Sequence, residues 1–123
     1  KESFNLENNV GVELFRAGKI DEAADYFRKS IALQPEWSAS QNNLGAVLER
    51  NGDLDGALAQ YKKAIGISDY YLAYENIGGM LIKMKKYDEA GTFLENALRK
   101  FPANNTLRGQ FYWIIQNKTK GEL

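Results

Sequence analysis

The chain has 123 residues, 44% of them hydrophobic and 26% charged, a mixture that suits one folded domain and argues against disorder. Its 16 basic and 16 acidic residues cancel, so no net field gathers nucleic acid or an anionic membrane. Cysteine and histidine are absent, which excludes disulfides, thiolate metal sites and the commonest general base, and leaves the redox compartment open.

The first predicted helix, near 4–17, contains NNVG at 8–11, and GKIDEA at 18–23 turns the chain into a second helix near 21–33. Pro35 closes this unit, since proline cannot continue a helix interior. A third helix near 38–51 carries NNLG at 42–45, GDLDGA follows at 52–57, and a fourth helix spans about 54–67. The fifth, near 71–84, carries ENIG at 75–78; KKYDEA at 85–90 leads into the sixth, near 88–101, closed by Pro102. A seventh is expected near 105–118, where Leu107, Phe111, Ile114 and Ile115 form an amphipathic stripe. Its FYWII run at 111–115 is far shorter than the roughly 20 residues a membrane span needs.

Gly11, Gly45 and Gly78 are 34 and 33 residues apart, and their neighbours recur in phase. Val10, Leu44 and Ile77 precede the glycines, and Leu14, Leu48 and Leu81 follow a turn later, on one helical stripe. Small residues recur on the second helix of each unit, first Ala23, Ala57 and Ala90, then Ser30, Ala64 and Ala97. Ala57 is expected to face Gly45 across the helix pair. Gly18 and Gly52 suit the left-handed end of a helix, whereas Lys85 in the same place predicts a strained or differently shaped turn. Asp21, Asp55 and Asp88 stand where a carboxylate favours a helix N-terminus. Ala64 to Gly78 is one residue shorter than Ser30 to Gly45, so the junction SDYY has lost a residue.

These positions resemble the tetratricopeptide repeat family over about residues 4–102, with units near 4–37, 38–70 and 71–104 and a capping helix near 105–118. The resemblance implies an all-α fold, a right-handed superhelix of three helix-turn-helix repeats closed by a C-terminal capping helix. The family's frequent early tryptophan is replaced by Glu7, Gln41 and Tyr74, and Trp37 is placed to fill part of that space. Without an initiator methionine or signal-peptide pattern, the domain 1–123 reads as a piece of a longer protein. A soluble domain is expected, with the cytoplasm favoured and the compartment otherwise open.

In such proteins the first helices line a concave groove that binds peptides. Helical geometry assigns to it Asn8, Asn42, Val12, Ala46, Phe15, Ile82 and the cation row Arg16, Arg50 and Lys83. Asn9, Asn43 and Asn76 share a line along the first helices, and a carboxamide can both donate to and accept from one backbone amide of an extended ligand. This arrangement is similar to the asparagine ladder of the repeat domain in O-linked N-acetylglucosamine transferase. The same asparagines also recur in the family as plain sequence habit, and basic residues near a helix C-terminus also complement its dipole. The family's carboxylate clamp for chaperone tails maps onto Asn8, Val12, Asn43, Leu72 and Asn76, where only Asn43 agrees, so a chaperone-tail receptor is not expected.

The partner implied is a protein or peptide, with no nucleic acid, no membrane insertion, no cofactor and no metal. Every acidic pair, such as Asp21 with Glu22, already serves a helix start, so no catalytic residue is expected. The alternative function is self-association, through the groove or through Tyr112 and Trp113, which a helical wheel places off the apolar stripe of the seventh helix.

Overall fold

The computed structural model describes residues 3–123, so residues 1–2 of the expected domain lie outside the described residues. Seven helices follow one another among these: α1 (Ser3–Arg16), α2 (Ile20–Leu33), α3 (Ser38–Arg50), α4 (Leu54–Ile67), α5 (Tyr71–Lys83), α6 (Tyr87–Lys100) and α7 (Asn105–Thr119). Each boundary lies within one residue of the position that the repeat pattern gives. No strand occurs among the described residues, and the fold is all-α. They form two compact units, one ending at Ala73 and the other beginning at Tyr74, inside α5.

Three turns close the helix pairs in the same way. The amides of Gly18 and Lys19 donate to the carbonyls of Phe15 and Leu14, those of Gly52 and Asp53 to Glu49 and Leu48, and those of Lys85 and Lys86 to Ile82 and Leu81. This crossed pair of bonds requires a left-handed residue just past the helix. Gly18 and Gly52 supply it with φ of 83° and 87°, and Lys85 is forced to 62°. The third turn therefore keeps the common shape and bears the strain in its lysine. The expected carboxylates Asp21, Asp55 and Asp88 sit inside the first turns of α2, α4 and α6. The residue that caps α4 is Asp53, whose side chain accepts from the Gly56 amide at 3.0 Å.

In the first unit, Ala23, Ala57 and Ala64 are wholly buried, as the repeat implied. Gly45, however, is not opposed chiefly by Ala57. A Cβ there would stand 2.6 Å from the Tyr61 ring, and one at Gly11 would stand 2.5 Å from the Phe27 ring. The glycines thus make room for large side chains one turn beyond the alanines. Phe27 joins Ala23, Ala24 and Val47 in a core flanked by Val12, Leu14, Phe15, Ile20 and Leu44. Ser30 Oγ donates to the Phe4 carbonyl at 2.7 Å, and Ser38 Oγ to that of Ala64 at 2.8 Å, tying neighbouring helices by their backbones.

The junctions differ as their lengths imply: residues 34–37 link α2 to α3, but only 68–70 link α4 to α5. Trp37, in the first junction, packs edge-on against Phe4 with ring centres 5.0 Å apart. Its indole serves α1, while Gln41 takes the early-tryptophan position of α3 and bonds Pro35 and Gln60. In the second unit Tyr74 fills the corresponding place, stacked on Phe93 and edge-on to Phe101.

The last helix docks through polar as well as apolar groups. Asn104 caps α7 by accepting from the Leu107 amide at 2.9 Å and donates to Glu75 Oε2 at 2.8 Å. Gln110 Nε2 donates to the Glu75 carbonyl at 3.0 Å. Leu107 and Ile114 are buried, but Ile115, expected on the same apolar stripe, is 45% exposed. The stripe on α7 is therefore narrower than the sequence pattern suggests.

Candidate functional site

α1 and α3 carry most of the residues expected on a binding face. Their asparagines are not equivalent. Asn9 is exposed and Asn43 half-buried, whereas Asn8 and Asn42 are each only 5% exposed. Asn43 Nδ2 donates to Asn8 Oδ1 at 2.9 Å, a bond that joins α3 to α1. Asn8 and Asn42 are thus largely covered by the helices packed around them. Asn43 has one amide hydrogen committed to Asn8, while its oxygen retains lone pairs and a second hydrogen remains for a further partner. Asn76 lies half-buried on α5, at the same place in its helix.

Val12, Phe15 and Ala46 are half-buried, and Val12 and Phe15 also flank the core around Phe27. The Arg50 guanidinium lies over the Phe15 ring at 5.9 Å from its centre, a contact that holds the cation at one edge of the face. Arg16 pairs with Glu13 at 3.1 Å, with both side chains at least 70% exposed, so the pair contributes little to stability. On α5, Ile82 is half-buried and Lys83 exposed.

Glu49, between Phe15 and Ile82 in the repeat register, accepts from the buried Tyr61 hydroxyl at 2.7 Å. Burial first, and then the bond and charge of Glu49, push the Tyr61 phenol far above its ordinary range. The hydroxyl stays neutral and fixes where Glu49 stands. The role of Tyr61 was missed in the sequence, although Phe27, Tyr61 and Leu94 recur at one offset from the three glycines.

The chemistry on offer is hydrogen bonding, cation contacts and apolar surface. No group of His, Cys, Asp or Glu suited to a metal occurs among the described residues. No helix there is long and apolar enough to cross a membrane. On α7, Tyr112 is 64% exposed and accepts from Gln116 Nε2 at 2.7 Å. Trp113, 42% exposed, rests beside Tyr87 with ring centres 5.9 Å apart.

Profiles of the tetratricopeptide repeat match residues 11–71 and 71–104. The chain belongs to the tetratricopeptide repeat (TPR) family. No curated protein matches it in sequence. Among solved structures it is similar to the first TPR of Spaghetti (RPAP3) bound to the HSP90 peptide SRMEEVD, at 23% identity and a TM-score of 0.84, over 94% of this chain and 93% of that one. The first TPR domain of human RPAP3 is similar at 23% identity and a TM-score of 0.86, over 98% and 96%. For the Arabidopsis OM64 TPR domain the figures are 19%, 0.85, 94% and 97%. These likenesses establish a TPR fold of three helix pairs and a closing helix.

Proposed function

We propose that this TPR domain is a non-catalytic interaction module that binds an extended peptide segment of a partner protein on the face of its first helices. The observation that carries this reading is the Asn43 amide. It is half-buried, held at 2.9 Å by Asn8, and flanked in the register by the half-buried Val12 and Ala46. A carboxamide so oriented can accept one ligand N–H and donate to one carbonyl, the needs of a peptide backbone. Asn9, at the equivalent position of α1, extends the ladder, with Arg16 and Arg50 taking acidic side chains, and Asn76 and Lys83 offer the same two chemistries at the corresponding positions of α5. That related domains were solved with HSP90 and HSP70 peptides supports a peptide as ligand. Asn8, tied to Asn43 where the clamp has lysine, argues for an internal segment over a free C-terminus.

Calorimetric titration of peptides selected on this domain tests the reading. Asn43→Ala should weaken binding by about 0.5 to 1.5 kcal/mol, and Asn9→Ala should add to it. Because Asn43 also satisfies Asn8, the same variant should lose a similar amount of stability, unlike a purely groove-facing residue. Asn8→Ala together with Asn43→Ala should recover part of that loss. Full binding by the folded Asn43→Ala and Asn9→Ala variants would show the ladder to be structural. SRMEEVD serves as the comparison ligand and should bind more weakly than the selected internal segments.

A further inference from the structure

The three turns that close the helix pairs share one shape, but their residues differ in chemistry. Ala17 precedes Gly18 and Met84 precedes Lys85, whereas Asn51 precedes Gly52. No other asparagine of the chain is followed by glycine. That order matters because a backbone nitrogen can attack the side-chain amide of the asparagine before it, and glycine, having no side chain, hinders the approach least.

Asn51 stands just past the end of α3, exposed, and its carboxamide has no hydrogen-bond partner among the described residues. Gly52, at a φ of 87°, has nothing within 4 Å of an added Cβ, so water and base reach the peptide unit between the two residues. The turn itself is the restraint. The Gly52 amide donates to the Glu49 carbonyl at 3.0 Å and the Asp53 amide to that of Leu48 at 2.9 Å. The nitrogen therefore meets the side chain only when this last turn opens, an event of low cost at a helix end. Asp55 with Gly56 is a related pair, but it lies inside α4, where the Asp53 carboxylate holds the Gly56 amide at 3.0 Å.

We infer that the turn between α3 and α4 is a self-modifying site, at which Asn51 converts to aspartate and isoaspartate. The Gly52 nitrogen gives its proton to base and attacks Asn51 Cγ, the bond from Cγ to Nδ2 breaks, and ammonia leaves as a succinimide ring closes. Water then opens the ring at either carbonyl. The net change is one water in and one ammonia out. Both products place a carboxylate at the C-terminal end of α3, where the helix dipole disfavours it. Isoaspartate also routes the chain through the former side-chain carbon, which adds one backbone atom to the turn. The crossed bonds of Gly52 and Asp53 then lose their register, and the Asp53 cap on α4 is displaced with them.

The test holds the folded full chain in mildly alkaline buffer, maps mass gain by mass spectrometry, and scores isoaspartate with an isoaspartyl-directed carboxyl methyltransferase. Asn51 should gain the mass of one deamidation before any other asparagine does, and faster than in mildly acidic buffer. In urea, where the turn is absent, the gain should be at least tenfold faster. Asn51→Gln keeps a polar amide but needs a larger ring, so it should fold alike and lose the early gain. The modified chain should unfold at a lower urea concentration than the unmodified one. Earlier gain at another asparagine, early gain that survives Asn51→Gln, or no gain at Asn51 in the folded chain would overturn the proposal. So would equal rates in the folded and unfolded chains, an unchanged urea midpoint after modification, or isoaspartate without mass gain, which puts the reaction at Asp55.

Discussion

In the first two helix pairs a glycine of the first helix receives an aromatic ring, Phe27 on Gly11 and Tyr61 on Gly45. In the third pair Leu94 is smaller than those rings, and the notch over Gly78 is shared between its Cδ2, 2.8 Å from an added Cβ, and the Gln110 side-chain oxygen supplied by α7. Among the described residues that oxygen is buried without a hydrogen-bond partner, while the nitrogen of the same amide donates to the Glu75 carbonyl. One repeated glycine is therefore satisfied in two ways. Where the pair's own side chain suffices, the unit closes itself. Where it does not, the next helix completes it, so α7 belongs to the packing of the third pair and is more than a cover over it.

The contrast is broken most severely at its best-filled notch. Tyr61→Ala should cost about 3 to 5 kcal/mol in urea unfolding, the range for deleting a buried ring. A loss no greater than that of Tyr61→Phe would mean the ring is not what fills the space over Gly45. Next comes the notch itself: Gly45→Ala should cost about 1 to 3 kcal/mol, because the Tyr61 ring is buried and its hydroxyl is anchored on Glu49. Gly78→Ala should cost less, since Gln110 can swing aside, and should also loosen α7. Equal losses would erase the distinction between the two regions.

Alkaline pH sharpens the contrast further. The folded state holds the Tyr61 proton more tightly than the unfolded chain does. Its contribution is therefore fully present below the unfolded phenol value of about 10 and is lost as pH rises above it, by about 1.4 kcal/mol per pH unit. Tyr61→Phe should remove that slope from the unfolding curve, and the third pair, with Leu94 in the place of tyrosine, has no counterpart to it. The smallest effect should be Lys85→Gly, which relieves the left-handed lysine and should stabilise the chain by about 0.5 to 1 kcal/mol. An unchanged melting temperature would show that the φ of 62° costs nothing at that turn.

Most of the fold was legible in the sequence because it rests on features that repeat. Gly11, Gly45 and Gly78 phase the helices, the shortened SDYY junction appears as the brief 68–70 link, and the strain assigned to Lys85 is present as a positive φ. The candidate site was less legible. Asn8 and Asn9 are adjacent, and about 100° of helix separates one that bonds Asn43 from one that is exposed. A helical wheel referred to an assumed groove centre does not settle which of the two faces the neighbouring helix. Hydrogen bonds such as Tyr61 with Glu49, or Gln110 with Glu75, join residues whose pairing depends on rotamers and docking, and no spacing within one helix encodes them.

Glu75 is gripped twice by the segment that follows α6, through its carboxylate by Asn104 and through its carbonyl by Gln110. The acceptor geometry exists only once the first turns of α5 have formed. During synthesis α7 is the last of the described helices to emerge, so its two amides meet a site already prepared for them. Until that moment the Gly78 notch lacks the Gln110 side chain that shares it with Leu94. The third helix pair is accordingly the last to become resistant to a protease, and release of a truncated chain before Asn104 leaves it the weakest point for cleavage.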